Sequence, residues 1–145
     1  MPTSLPVQLL ALFATVSIAF ALWKGGSAER LAAACVAANL GSSILLNELL
    51  GQVDGVIRFA SDGLTALALL AVTLRYAAPW MIGVMLLYSV QFALHAYYMV
   101  VGRNDRDYLH ALINNIDFTG VAICLAAGTA MAWQGRQRTR DPAPL

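Results

Sequence analysis

The chain has 145 residues, of which 59% are hydrophobic and 12% charged, with a formal net charge of +1. A soluble domain carries about a quarter charged residues, and one of this length could not bury so much apolar surface in a single core. The near-balanced charge leaves no basic face for nucleic acid and no acidic tail, so the composition points to one domain whose solvent is the lipid bilayer.

Five apolar segments follow in order, at residues 5–23, 31–50, 56–74, 79–101 and 108–133. Each has about the 17–25 residues that cross a bilayer core as a helix. The first begins after Met1-Pro2-Thr3-Ser4, which lacks a positive n-region, and runs longer than a signal-peptide core; it is expected to be a retained helix. It stops at Lys24-Gly25-Gly26. The second carries Asn39, Ser42, Ser43, Asn47 and Glu48 and stops at Gly51. The third carries Arg58, Asp62 and Thr65 and stops at Arg75. Pro79 opens the fourth, a position where proline fits the first helical turn, and Gln91 and His95 lie towards its other end. After Gly102–Asp107 the fifth carries His110, Asn114, Asn115, Asp117 and Thr119. Residues 1–133 thus read as a five-span domain, and 134–145 as a basic cytoplasmic tail. Loops this short make neighbouring spans antiparallel hairpins.

Basic residues set the direction. An odd number of spans puts the termini on opposite sides, with Lys24, Arg30, Arg75, Arg136, Arg138 and Arg140 on one and Arg58, Arg103 and Arg106 on the other. The positive-inside rule makes the first side cytoplasmic and the N-terminus external. Trp23, Trp80 and Trp133 then mark the inner interface, and Tyr97, Tyr98 and Tyr108 the outer. The expectation is an all-α integral membrane protein, an antiparallel five-helix bundle of the bacterial inner membrane.

Direction gives depth, at about 1.5 Å per residue. The polar residues of the second to fifth segments all fall between the membrane middle and the outer surface. They also share faces: Asn39, Ser43 and Asn47 are four apart, as are Gln91 and His95, and Arg58, Asp62 and Thr65, like His110, Asn114 and Asp117, stand at i, i+4, i+7. Lipid cannot satisfy such groups, so the stripes should turn towards one another. The expected result is a pocket open to the outer side. Asp62, Gln91, His95, His110, Asn114 and Asp117 form its core, with Glu48 and Arg58 at the mouth. The first segment, nearly free of polar groups, should only pack or face lipid.

Histidine is the side chain that ordinarily titrates near neutral pH, and ionisable groups inside a membrane usually have a task. The leading expectation is therefore a pocket for a small ligand, proton or ion, serving transport or sensing. A second reading makes His95 and His110 ligands of a haem or a transition metal. A third makes the chain a non-catalytic accessory subunit, in a homo-oligomer or larger membrane complex, with part of the polar stripe on its exterior. No HExxH or GxSxG motif argues for an enzyme. Cys35 and Cys124 lie inside apolar segments without metal-type spacing and read as small hydrophobes.

Overall fold

The computed structural model describes residues 5–50, 55–102 and 107–140. Expectations placed on 1–4, on the loop 51–54, on Arg103 and Arg106 and on 141–145 lie outside the described residues, as do the side chains of Asn47, Leu50 and Arg140. The described chain forms five α-helices: α1 (Leu5–Lys24), α2 (Ser27–Leu50), α3 (Gly55–Tyr76), α4 (Pro79–Val101) and α5 (Tyr108–Arg140).

Local chemistry sets their ends. α2 starts at Ser27 because Glu29 folds back: its Oε2 accepts the Gly26 N–H at 2.8 Å, while Arg30 N–H donates to the Gly26 carbonyl at 3.0 Å. This is the glutamate half of a capping box, and it satisfies a donor that would otherwise be orphaned. Ala78 is extended (φ −76°, ψ 129°) because a following proline disfavours the helical region, and Pro79 then opens α4. Gly102, at φ 64°, closes α4 by donating its N–H to the Tyr98 carbonyl, a left-handed cap that glycine takes without a Cβ clash. α5 continues through 134–140, where a tail was expected. There the Arg136 guanidinium donates to the Lys24 carbonyl at the end of α1.

Each helix packs on its neighbours in chain order, and α5 returns to contact α1 and α2. α1 therefore lies in the groove between α2 and α5. All five helices are long and apolar enough to cross a membrane, and large apolar side chains stand exposed on every one of them. Leu12, Leu45, Leu64, Leu86 and Ile116 are examples, with Leu64 70% and Val100 82% exposed. Water would penalise such a surface, and lipid does not. These features are those of an integral membrane protein.

The apolar core occupies the half of the bundle nearer the α1–α2 and α3–α4 connections. Ala21, Ala32, Ala33, Leu69, Met81, Val84, Val121 and Leu125 are buried there, with Trp80 packed against them. Glycines let α4 and α5 close tightly. A Cβ on Gly128 would lie 2.5 Å from the Trp80 ring, one on Gly120 2.8 Å from Leu87, and one on Gly83 2.9 Å from the Cys124 sulfur. Close backbone approach at small residues is how helices associate where lipid provides no hydrophobic drive. Cys35 and Cys124 are free thiols.

Candidate functional site

The other half of the bundle is built differently. Asp62 of α3 is 6% exposed. One carboxylate oxygen lies 2.6 Å from His95 Nδ1 of α4, and the other accepts from Asn39 Nδ2 of α2 at 3.1 Å. Asn39 Oδ1 in turn accepts from the Ser61 hydroxyl at 3.0 Å, and the Ser42 and Ser61 hydroxyls meet at 3.4 Å. The buried Tyr88 hydroxyl is hydrogen-bonded to Asn39. Three helices are thereby joined through one carboxylate. An unmade bond here would cost the full desolvation of its buried group.

Along α4 and α5 the polar pairs step outwards from this centre. Gln91 Nε2 donates to Asn114 Oδ1 at 3.4 Å. The His95 and His110 rings lie 5.0 Å apart between centroids and are tilted by 33°. The Tyr98 ring meets His110 edge-on at 4.8 Å, and its hydroxyl donates to Asp107 Oδ2 at 3.1 Å. His110 is 5% exposed, held between the two rings. Asp107 also accepts the Leu109 N–H at 3.4 Å, so the same carboxylate caps the start of α5. Asp117, nearly one turn beyond Asn114 on α5, is 3% exposed and within electrostatic reach of His95. Its Oδ2 has no hydrogen-bond partner among the described residues.

A cavity of about 410 Å³ opens beside this network. Asn39, Ser43, Arg58, Ser61, Asp62, Gln91, His95, His110, Asn114 and Asn115 line it on the polar side; Val7, Leu10, Ala11, Leu40, Leu46 and Phe118 supply the apolar wall. Six residues singled out from the sequence, Asp62, Gln91, His95, His110, Asn114 and Arg58, therefore share one cavity. Glu48 does not join them: it is exposed on α2 and lines no part of the cavity. Asp117 sits behind the wall rather than in it. Thr65 and Thr119 turn back on their own helices, donating to the Ser61 and Asn115 carbonyls.

Two features were not read from the sequence. Val7, Leu10 and Ala11 make α1 a wall of the cavity, where only packing or lipid contact was expected. Ser61, Tyr88 and Tyr98 belong to the network as well. The spacing held a signal for the tyrosines, since 88, 91, 95 and 98 fall on one helical face. Tyr88 stands in an apolar run, and Tyr98 reads from the sequence only as an interfacial ring.

A haem's axial pair points nitrogens at one iron from opposite faces of a macrocycle; here the His95 and His110 rings stack at 5.0 Å, and no group of three His, Cys, Asp or Glu side chains converges for a metal ion among the described residues. What the site offers is a mixed set of donors and acceptors around the His95–Asp62 contact. Compared with models of protein families, with curated proteins and with solved structures, the chain matches none.

Proposed function

We propose that the chain is a five-span protein of a bacterial inner membrane, antiparallel throughout, with its N-terminus outside and its C-terminus in the cytoplasm. The pairings support this threading. Gln91 with Asn114, His95 with His110 and Tyr98 with Asp107 descend one helix as they climb the other. Asn39 with Asp62 and Ser42 with Ser61 do the same between α2 and α3. Lys24 lies 4.2 Å over the Trp23 ring and 5.7 Å from that of Trp133, which supports a shared cationic, aromatic interface at the inner end.

In this setting the cavity opens to the outer side and binds a small polar ligand or ion, for transport or sensing. The observation that carries this is the convergence of Asn39, Asp62 and His95, from three helices, on a cavity wall rather than on a packed seam. Residues that served only as interhelical glue would close the space between them. An accessory role through the same residues needs part of the stripe on the exterior; Ser43, Glu48 and Arg58 are exposed, whereas Asp62, Thr65, His110 and Asp117 are buried.

The test is a thermal-shift scan of the purified, detergent-solubilised chain against single small amines, carboxylates, neutral polyols and inorganic ions. At least one is expected to raise Tm in the native chain and not in Asn114→Leu; a ligand at a hundred times its Kd adds about 2.7 kcal/mol. No shift with any solute would refute the binding site.

A further inference from the structure

α1 is held along one half only. Its buried residues are Ala14, Ser17 and Ala21, which stand at i, i+3 and i+7. Nearby, Phe20 meets the Trp133 ring edge-on at 6.3 Å, and the Arg136 guanidinium donates to the Lys24 carbonyl. In the other half, none of residues 5–13 is buried. Where the halves meet, the Thr15 and Ser17 hydroxyls donate to the Ala11 and Phe13 carbonyls at 2.8 and 2.9 Å. Such bonds to the carbonyl four residues back slightly weaken a helix and favour a bend. The loosely held half is the one that lines the cavity, through Val7, Leu10 and Ala11. Leu9, Leu12 and Phe13 of the same stretch are exposed and line no part of it. One helix, fixed at its far end, thus stands between the cavity and the lipid.

The lining itself has two characters. Asn39, Ser43, Ser61, Gln91, Asn114 and Asn115 bring uncharged amides and hydroxyls, while Arg58 and Asp62 bring one charge of each sign. Opposite them lie Val7, Leu10, Leu46 and Phe118. A wholly apolar guest would strand the hydrogen-bonding groups, and a wholly polar one would itself be stranded against the apolar wall. We propose that the cavity binds an amphiphile with an uncharged, hydrogen-bonding head, whose chain passes α1 into the outer leaflet. This rests on the reading of the cavity as a ligand site. The head meets the amides of Asn39, Gln91 and Asn114, and the chain leaves along Val7, Leu10 and Phe118. The volume fits a head with the start of a chain: about 410 Å³ holds about fourteen groups of water size at about 30 Å³ each. A longer chain has to continue in the lipid, and the loosely held half of α1 is where it can do so.

The full-length chain in detergent-free lipid nanodiscs is irradiated with monooctanoylglycerol that carries a diazirine on its chain, and the adducts are mapped by mass spectrometry. Adducts are expected on Val7, Leu10, Leu46 and Phe118. Excess unlabelled monooctanoylglycerol should remove them and glycerol should not. Monooleoylglycerol, too long to fit inside, should compete as well; its failure to do so overturns the passage beside α1. Octanoate or octyltrimethylammonium competing equally overturns the uncharged head. Ala11→Trp, which fills the apolar wall, is expected to abolish the saturable labelling, whereas Leu12→Trp, at an exposed position outside the cavity, keeps it. If Ala11→Trp does not fold, competition in the native chain decides. Labelling that never saturates and spreads over exposed residues such as Leu64 and Val90 overturns the proposal. If no labelling saturates while a water-soluble solute still raises Tm, the amphiphile fails and the ligand site stands; if neither is seen, both fail.

Discussion

The two halves of the bundle are made from the same helices and solve opposite problems. In one half, Ala21 of α1 and Ala32 and Ala33 of α2 are buried in the core, and Gly83, Gly120 and Gly128 let α4 and α5 approach with no room for a Cβ. In the other, Asn39, Asp62, Gln91, His95 and Asn114 reach across gaps that are bridged by hydrogen bonds and left partly open. The difference teaches where stability and function are separated. Close packing without lipid-excluded drive depends on small residues; a cavity with satisfied walls depends on side chains long enough to meet. The packed half holds the helices in register so that the polar half can stay open.

Substitutions should break this contrast in a definite order. The largest loss is expected from Gly128→Leu, because a Cβ alone would lie 2.5 Å from the Trp80 ring. Overpacking of this kind costs about 1–3 kcal/mol and occasionally more, and should appear as a lowered Tm and reduced folded yield in detergent. The same exchange at Gly41, where no atom lies within 4 Å of the added Cβ, should stay within about 0.5 kcal/mol. Equal effects at the two glycines would erase the distinction between the halves.

Next comes Asp62→Ala. It strands the Asn39 amide and removes the partner of His95, an expected loss of about 1–3 kcal/mol together with loss of ligand-induced stabilisation. A variant as stable as the native chain that still responds to solutes would show Asp62 to be incidental. The smallest effect is expected from Tyr98→Phe. It deletes one hydrogen bond, to Asp107, and keeps the ring against His110, so chemical denaturation should report about 0.5–1.5 kcal/mol.

Much of this arrangement was legible in the sequence because membrane helices announce themselves by length and polarity. The five apolar runs matched α1 to α5 closely. The start of α2 was missed because Glu29 and Arg30 look like loop charges, yet Glu29 is what caps the helix. The continuation of α5 to Arg140 was missed because hydropathy ends where the bilayer does, while glutamine and arginine continue a helix readily. In the site, Asp62, His95, His110 and Asn114 were readable from their spacing, since lipid forces such residues inwards. Glu48 had the right depth and the wrong face. Tyr88 hid among apolar neighbours, Tyr98 read only as an interfacial ring, and the part played by α1 was invisible because a cavity wall of Val7, Leu10 and Ala11 has the same letters as a lipid-facing surface.

The measurement that bears most directly on an outward-open polar cavity is thiol accessibility in intact cells. Cys35 and Cys124 are replaced by alanine, single cysteines are placed at Ser43, which lines the cavity, and at Ala33, which is fully buried in the packed half, and a membrane-impermeant maleimide is added from outside. Labelling at Ser43→Cys with none at Ala33→Cys is the predicted result. No labelling at Ser43→Cys from outside, or labelling only after the cytoplasmic face is exposed, would contradict it.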